Sequence, residues 1–394
     1  MPAYDAGASF FPIGLYHGVT GTFGGVSYSF DTATQSGHNT VVAWGGLETR
    51  AVLEDAVRSG VQVIMALPTD ETVRAARDHP NVLGFDIDHE PSIARMREDV
   101  RERLVRFEDR RAQIRAIDPD RAVFTIDYPA IRDDRIEGWN EWKRAGDVAS
   151  FWAYPVAGDR SPSIGGYAGV GKTVALAVQA VASQKPVWFV AQAFQSPIGK
   201  FEWRMPDERQ ARAMAYAALV HGATGLIWFS QDSFVTRNGK VIGISPDPQT
   251  EYSHVTPASL TGDENFTAND RQISESRTLW TAVARINREL AAQTEIWLSP
   301  TADMDYRVEI RGARTSRDPV RTQLKRTKDG LVLAGVNIDD TPVEVRISLP
   351  YGIAAIVPVA GDTQVSLRNG QLVGKLDGFA TFVLRIDPET RRNG

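Results

Sequence analysis

The most informative run of this chain reads VLGFDIDHEP, residues 82–91. It begins with apolar residues and then places three carboxylates at alternate positions, Asp86, Asp88 and Glu90. Because side chains alternate between the faces of a strand, this spacing predicts a strand with all three acids on one side. In a parallel barrel that side can be the interior, and the carboxyl end of the strand, where Glu90 precedes Pro91, is where barrels place their chemistry. Glu90 is therefore the first catalytic candidate, and the competing interpretation is that these acids cap a helix or pair with arginines.

The composition narrows the class of protein. The chain has 394 residues, of which 42% are hydrophobic, enough for a barrel-sized domain and a smaller one. The net charge is -5 with acidic and basic residues interspersed, so nothing indicates nucleic-acid binding. Cysteine is absent, which excludes disulfides and thiolate catalysis. No apolar run is long enough to predict a membrane span.

The cellular location is left open by the sequence. The first residues, 1–11, carry neither the basic nor the apolar segment of a signal peptide. The chain therefore either begins in the cytosol or has lost such a segment, and a secreted or periplasmic location is slightly favoured over a cytoplasmic one. The sequence leaves the oligomeric state undetermined.

Short apolar strands alternate with helical stretches through the first three quarters of the chain, a pattern typical of parallel α/β folds. Strands are predicted at residues 11–16, 40–44, 61–67, 82–88, 122–127, 148–154, 187–192 and 225–230. Amphipathic helices are predicted between them, for example at residues 93–117 and 207–222, and a last barrel helix at residues 277–292. The polar stretch from residue 231 to about 275 predicts an active-site loop or lid. Eight strands with intervening helices favour a (β/α)8 TIM barrel over an open sheet.

From residue 295 the pattern changes to short strands separated by turn signals. Strand-like runs at residues 306–310, 331–337, 343–349, 354–359 and 380–386 are broken by Asp-Gly and Asn-Gly pairs. We therefore predict an α/β barrel domain over residues 1–294 and a smaller C-terminal antiparallel β-sandwich domain over residues 295–394.

Aromatic side chains gather where the barrel strands are predicted to end. They are Tyr16, His17, Trp44, Tyr128, Trp152, Tyr154, Trp228 and Phe229. Sugar rings present apolar faces edged by hydroxyls, so a sugar site needs aromatic platforms beside carboxylates and amides. About half of these rings are expected to point outward beneath the helices, Trp152 and Phe229 first.

A series of motifs in this order resembles bacterial (β/α)8 glycoside hydrolases with a C-terminal β-sandwich. The motifs are FPIGLY at 11–16, GHNTVV at 37–42, HPNVLG at 79–84 leading to Glu90, AY at 215–216, HGA at 221–223, GLIWFS at 225–230 and VNIDD at 336–340. The resemblance spans nearly the whole chain. It implies cleavage of glycosidic bonds in an oligo- or polysaccharide, with no cofactor and no metal.

Strand four resembles two families with different chemistry. Asp86-x-Asp88-x-Glu90 is similar to the DxDxE signature of the family 18 chitinases, in which the N-acetyl group of the substrate is the nucleophile. This resemblance implies that Glu90 protonates the leaving oxygen and that Asp88 orients the acetamido group. It also places Tyr154 at the end of strand six and Trp228 as the floor of the site.

His89-Glu90-Pro91 also resembles the Asn-Glu-Pro of the retaining barrel hydrolases of clan A, in which the Glu is the acid/base. Those enzymes need a second Glu, the nucleophile, at the end of strand seven. That position holds Gln192 here, and an amide cannot take the role of the carboxylate nucleophile. The resemblance therefore implies that the partner of Glu90 comes from elsewhere or that the chemistry differs.

Glycoside hydrolysis needs a protonated carboxyl and a second carboxylate, or the substrate itself, to stabilise positive charge at the anomeric carbon. Neighbouring acids can keep one carboxyl protonated near neutral pH, a role that Asp86 and Asp88 would have toward Glu90. For the second carboxylate we predict Asp127 at the end of strand five or Glu202 after strand seven. Asp232 ranks third, and each of the three is also a candidate for a substrate hydrogen bond or a structural ion pair.

The remaining polar motifs indicate structure more than chemistry. The histidines show no metal-ligand spacing; His38 is predicted to be buried and hydrogen-bonded, and His89 either contacts substrate or holds a carboxylate. GYAGVGKT at 166–173 matches a P-loop pattern but does not follow a buried strand, so we predict a loop and the opening of a helix.

Two functions follow from the sequence. The first is a glycoside hydrolase with Glu90 as general acid/base and a carbohydrate-binding set made of Tyr16, His17, Trp44, Asp86, His89, Tyr128, Tyr154, Gln192, Trp228 and Asp232. The second, which Gln192 favours, is a non-catalytic barrel that binds a polysaccharide or a protein partner.

Overall fold

A computed structural model describes residues 10–23, 26–43, 47–91, 100–129, 136–158, 163–165, 169–198, 201–231, 233–236, 239–248, 251–252, 266–312, 318–350, 352–361 and 364–388. Trp44 and Asp232 lie outside these residues, and the side chain of His89 lies outside the description as well.

Eight parallel strands close into a barrel in which each strand pairs with its neighbours in the chain and β1 pairs with β8. The strands are β1 (Ile13–Gly18), β2 (Thr40–Ala43), β3 (Gln62–Ala66), β4 (Val82–His89), β5 (Ala122–Asp127), β6 (Ala149–Ala153), β7 (Val187–Gln192) and β8 (Gly225–Phe229). The predicted TIM barrel is confirmed, because each of these strands coincides with a predicted run.

Alternate residues of the barrel strands fill two separate layers. Phe124 and Trp188 point inward and belong to the core inside the barrel. Their neighbours Val123 and Phe189 point outward and pack beneath the helices. This alternation is the usual way in which a closed parallel barrel fills its interior, and it fixes which side chains reach the site.

The helices cover the outside of the barrel. They are α1 (Asp31–Gln35), α2 (Thr49–Ser59), α3 (Asp70–Ala76), α4 (Val100–Ile117), α5 (Ile136–Ala145), α6 (Val170–Ala180), α7 (Glu208–Leu219), α8 (Asp270–Ala292) and α9 (Thr294–Leu298). Lys172 lies in the first turn of α6, as predicted for a helix opening. Helix α8 begins seven residues before its predicted start, because Asn269 and Gln272 form a capping box.

Short hairpins extend from the carboxyl ends of three barrel strands. Gly21–Phe23 pairs with Val26–Tyr28 after β1, Ser196–Ile198 with Phe201–Trp203 after β7, and Ser233–Thr236 with Gly239–Ile242 after β8. The last of these occupies part of the predicted loop between residues 231 and 275. All three therefore stand around the end of the barrel where Glu90 lies.

The C-terminal part forms two antiparallel four-stranded sheets, which confirms the predicted antiparallel fold, although only five strand runs were predicted. The strands are β9 (Arg307–Arg311), β10 (Val320–Thr327), β11 (Gly330–Asn337), β12 (Val343–Ser348), β13 (Ile353–Gly361), β14 (Val365–Arg368), β15 (Gln371–Leu376) and β16 (Thr381–Pro388). One sheet has the order β9-β12-β15-β14 and the other β10-β11-β16-β13. Leu324, Ile347 and Phe382 pack between them. The domain boundary between residues 294 and 295 falls at the start of α9 and stays a prediction.

One sheet of the sandwich also packs directly against the barrel. Val332, Ala334 and Val336 of β11 belong to the same core as the outer layer of the barrel. The buried ammonium of Lys325 in β10 donates hydrogen bonds to the carbonyls of Trp297 (2.8 Å) and Ser299 (2.9 Å) around α9. Burial lowers the pKa of Lys325 to about 8. Within the described part of the chain, no helix has the length and apolar character needed to cross a membrane.

Candidate active site

Asp86 lies inside the barrel on β4 and is fully buried. Its Oδ1 accepts a hydrogen bond from the backbone N–H of Ile126 (3.2 Å), and its Oδ2 lies 3.5 Å from the Tyr16 hydroxyl, which donates to it. This carboxylate therefore sits beneath the rim of the barrel and is held by neutral donors. Because Asp86 is fully buried, it supports the site from below, and the structure gives no exposed surface of this predicted substrate-binding residue to a sugar.

Asp88 faces the helices and not the barrel interior. The pairing of β4 with β5 shifts between Asp86 and His89, so a bulge interrupts the alternation of the strand. Arg103 of α4 donates two hydrogen bonds to Asp88, from Nε (3.0 Å) and from Nη2 (2.6 Å). The expectation that three acids share one inward side is therefore wrong at Asp88, because the bulge turns two successive residues, Ile87 and Asp88, outward.

Glu90 follows β4 at the rim of the barrel and is half-buried. Its Oε1 accepts a hydrogen bond from the indole Nε1 of Trp152 at 2.7 Å. Its backbone has a φ of 49°, in the left-handed region that residues other than glycine adopt rarely. His17, at the end of β1, has a φ of 60°. Leu67, directly after β3, has a φ of 49° as well. Such strained positions cluster at functional sites, so these three at one end of the barrel point to this rim.

Asp127, predicted as a second carboxylate, also lies on the outer side of the barrel. It follows the alternation of β5, in which Val123 is an outward residue. The carboxylate is fully buried and lies 3.2 Å from the Nζ of Lys143, which is itself 1% exposed. The same ammonium donates to the Ser150 carbonyl (2.9 Å) and lies 5.0 Å from the centroid of the Trp139 ring. Asp127 thus joins β5 to α5 as half of a buried ion pair.

Glu202, the other predicted carboxylate, is exposed on the hairpin after β7. Its neighbour Trp203 packs against Tyr154 (5.9 Å between ring centroids) and Phe194 (5.5 Å). Because successive residues of a strand face opposite sides, Glu202 points away from these rings. Of the four residues predicted as catalytic, only Glu90 is thus placed on the inner side of the rim.

Aromatic rings line the end of the barrel around Glu90. Tyr154 stacks on Trp152 (4.4 Å, 11° between planes) and contacts Phe229 (5.7 Å). Phe229 also contacts Tyr16 (5.2 Å) and His17 (4.8 Å). These contacts bring together side chains from β1, β6 and β8. They form a continuous aromatic cluster beside the carboxyl group of Glu90, in which Tyr16 and Tyr154, predicted to bind substrate, are buried and Trp152 and Phe229 are half-buried.

The orientation of the rings differs in part from the sequence expectation. Trp152 and Phe229, expected to point outward, lie at the site, and Tyr128 packs edge-on against Trp152 (5.0 Å). Trp228, expected to floor the site, is fully buried on the outer side, where its Nε1 donates to Asn287 of α8 (2.8 Å). The register of β8 against β7 decides that Phe229, and not its neighbour Trp228, faces the site. Phe194 and Trp203 were not predicted, although the alternation beyond Gln192 is a signal for Phe194.

Gln192 closes β7 and is fully buried, so the structure gives no surface of this predicted substrate-binding residue to a ligand. Its Oε1 accepts the backbone N–H of Val156 at 2.9 Å. Its Nε2 donates to the carbonyls of Val156 (3.0 Å), Arg204 (2.9 Å) and Phe194 (3.4 Å). The amide is therefore bound to the backbone of the surrounding loops.

The tyrosines of the site stay protonated. Burial raises the pKa of Tyr16 well above its usual value, and the charges of Asp86 and Glu90 add to this effect. Burial and the charge of Glu90 likewise raise the pKa of Tyr154. Both hydroxyls are therefore neutral hydrogen-bond donors at physiological pH.

His38 lies away from the site and is buried, as predicted. Its Nδ1 is 2.8 Å from the Ser36 hydroxyl and 3.2 Å from the Ala33 carbonyl, and burial lowers its pKa to about 4. Across the described residues, no three His, Asp or Glu side chains are grouped in a way that could hold a metal ion.

The fold and this rim define a (β/α)8 barrel with C-terminal antiparallel sheets and its candidate site at the carboxyl ends of the strands. No family model matches the chain, and no curated protein matches it in sequence. Among solved structures, Amy13B of Eubacterium rectale is 10% identical with a TM-score of 0.56, covering 95% of this chain and 96% of that one.

Two further solved structures share this architecture over nearly their whole length. The α-amylase of H. orenii is 9% identical with a TM-score of 0.51 and covers 95% of this chain and 98% of that chain. AmyP in complex with maltose is 11% identical with a TM-score of 0.51, covering 96% and 94%. At these identities the likeness shows the fold.

Proposed function

We propose that this protein is a glycoside hydrolase that cleaves glycosidic bonds of an oligo- or polysaccharide, with Glu90 as the general acid/base. The observation that carries this proposal is the position of Glu90 at the carboxyl end of β4, half-buried and bonded to the indole of Trp152. The likeness of the fold to an α-amylase lends the proposal support.

The surroundings of Glu90 suit the transfer of a proton to a leaving sugar. The half-buried rings of Trp152 and Phe229 provide an apolar contact for a sugar face, and the indole N–H orients the carboxyl group. Asp86 places a negative charge under the same rim, linked to it through the Tyr16 hydroxyl. Such a charge stabilises the positive charge that develops on the sugar as the glycosidic bond breaks.

The proposal is tested by incubating the protein with a panel of oligo- and polysaccharides and measuring newly formed reducing ends. Wild type is expected to release reducing ends from at least one member, and Glu90→Gln to release them at a strongly reduced rate. Glu54→Gln is the matched control, because Glu54 lies exposed on α2 and pairs with Arg50. Full activity in Glu90→Gln would contradict the assignment.

A second candidate function is a barrel that binds polysaccharide or a protein partner without turnover. The observation that favours it is the position of the predicted second carboxylate. Asp127 is paired with Lys143 on the outer side, and the strand-seven position holds the amide of Gln192. Binding of a glycan by calorimetry, with no reducing ends released by wild type, selects this function.

A further inference from the structure

Gln192 lies at the end of β7, and its side-chain amide forms two hydrogen bonds with the backbone of the neighbouring loop. Its amide accepts the N–H of Val156 and donates to the carbonyl of the same residue, the two bonds that an antiparallel partner would make. It also bonds the carbonyls of Arg204 and Phe194. One side chain therefore joins three separate backbone segments at the rim.

Each of these segments carries one ring of what we call the aromatic wall, which consists of Tyr154, Phe194 and Trp203. Tyr154 lies two residues before Val156, and Trp203 directly precedes Arg204. The three rings touch one another, with centroid distances of 4.9 Å (Tyr154 to Phe194), 5.9 Å (Tyr154 to Trp203) and 5.5 Å (Phe194 to Trp203).

The aromatic wall is connected to Glu90 by one further ring. Tyr154 stacks on Trp152 at 4.4 Å, and the Trp203 ring lies 6.5 Å from the same indole. The indole N–H of Trp152 in turn donates to Glu90 at 2.7 Å. A shift of the wall therefore moves the group that orients the acid.

We propose that Gln192 is a positioning residue of the active site, which holds the aromatic wall and, through Trp152, the orientation of Glu90. This inference rests on the proposed glycosidase function and adds a role for the residue at the strand-seven position. The side chain acts through the wall and contacts no substrate, since it is fully buried.

The hydrogen bonds require an amide at this position. The backbone around Gln192 presents three carbonyl oxygens and one N–H. A glutamine supplies an acceptor and two N–H donors, whereas a carboxylate supplies acceptors only. A carboxylate would therefore face carbonyl oxygens in a buried setting, and the strand-seven position cannot hold a nucleophilic glutamate with the loops in this arrangement.

The first test compares Gln192→Ala with wild type on a 4-nitrophenyl glycoside or oligosaccharide that wild type hydrolyses. Loss of the amide is expected to lower kcat/KM by roughly 10²-fold, with a higher KM and a lower kcat, because misplacement of catalytic geometry has effects of this size. Hydrogen exchange of the Val156 and Arg204 peptides is expected to accelerate. Gln210→Ala is the matched control, since its amide also bonds a backbone N–H, that of Asp207 (3.1 Å), in the cap of α7.

The second test uses Gln192→Glu, which separates positioning from stability and also serves if Gln192→Ala does not fold. The introduced carboxyl resembles the amide in shape when protonated and can then donate one hydrogen bond. Exchange protection of the Val156 peptide and activity relative to wild type are therefore expected to be partly restored at acid pH and lost as the pH rises. Activity of Gln192→Glu at neutral pH that equals or exceeds wild type would overturn the proposal.

The remaining outcomes are also decisive. Faster exchange in Gln192→Ala with unchanged kcat and KM would show a structural role only and overturn the positioning role. Unchanged exchange would overturn the proposal at its first step. If wild type hydrolyses no glycoside, the proposed function fails, and the exchange rates of the Val156 and Arg204 peptides in Gln192→Ala still decide whether the amide holds the loops of the aromatic wall.

Discussion

The barrel holds its carboxylates in two different ways on its two sides. On the outer side, Asp88 is bonded to the guanidinium of Arg103 and Asp127 to the ammonium of Lys143. On the inner side, Asp86 and Glu90 accept hydrogen bonds from a backbone N–H, a phenol and an indole, all neutral. The ion pairs of the outer side join strands to helices and serve packing, whereas the neutral donors of the inner side orient carboxylates at and beneath the rim of the proposed site.

The largest effect is expected on the inner side. Glu90→Gln should lower kcat by about 10²–10⁴-fold, the usual contribution of a general acid. The melting temperature should change little, because Glu90 is half-buried at the rim and the amide can still accept the indole N–H. Initial rates with calorimetric melting curves provide the measurement. If Glu90→Gln lost its fold together with its activity, Glu90 would serve stability like the outer carboxylates, and the contrast between the two sides would fail.

The next effect is on the outer side and concerns stability. Lys143→Met leaves the buried Asp127 without its cation, which should lower the free energy of unfolding by about 3–5 kcal/mol. Adding Asp127→Asn should recover most of this loss, since the amide keeps an acceptor for the N–H of Tyr128. Urea denaturation of the single and double variants measures both. Equal stability of Lys143→Met and wild type would contradict the ion pair.

On the inner side, the free energy of unfolding should depend on pH through the phenol of Tyr16. The pKa of Tyr16 is raised in the folded protein, while phenols of the unfolded chain ionise near pH 10. The stabilisation is therefore fully present below pH 10 and is lost as the pH rises toward the folded pKa. The free energy of unfolding should fall by up to about 1.4 kcal/mol per pH unit for this phenol. Tyr16→Phe should make the slope above pH 10 shallower, and an unchanged slope would argue against the buried phenol.

The smallest effect is expected for Asp88. Its pair with Arg103 is partly exposed, so Asp88→Asn should cost about 1 kcal/mol or less and leave hydrolysis close to wild type. Rates with an N-acetylated and a non-acetylated oligosaccharide provide the check. A large loss of rate with the N-acetylated substrate alone would show that Asp88 acts on the substrate, and it would support the family 18 type of chemistry.

The strands of the barrel could be predicted from the sequence because each is a short run of apolar residues buried on both faces. The sandwich strands Val320–Thr327, Val365–Arg368 and Gln371–Leu376 were missed. The first of these, VRTQLKRT, alternates polar and apolar residues only weakly, since Arg321, Thr322 and Gln323 are half-buried and Lys325 is buried. Its strand character comes from pairing with β11, which a single run does not reveal.

The candidate site could be predicted in position but not in orientation. The placement of Glu90 at a strand end follows from the apolar run and Pro91. The outward turn of Asp88 depends on a bulge against β5, and the exchange of roles between Trp228 and Phe229 depends on the register of β8. A shift of one residue reverses every side chain. The cations Arg103 and Lys143 come from helices 15 and 16 residues further along the chain than their partners, beyond the reach of a local pattern.

The contact between β11 and the outer layer of the barrel affects how the protein unfolds. Removing the last hundred or so residues would bare the apolar surface of α7 that Val332, Ala334 and Val336 now cover. A truncated barrel would therefore be prone to aggregation when produced alone. The two halves should melt together in a single cooperative transition, so that damage to the distal sheets also reaches the rim that carries Glu90.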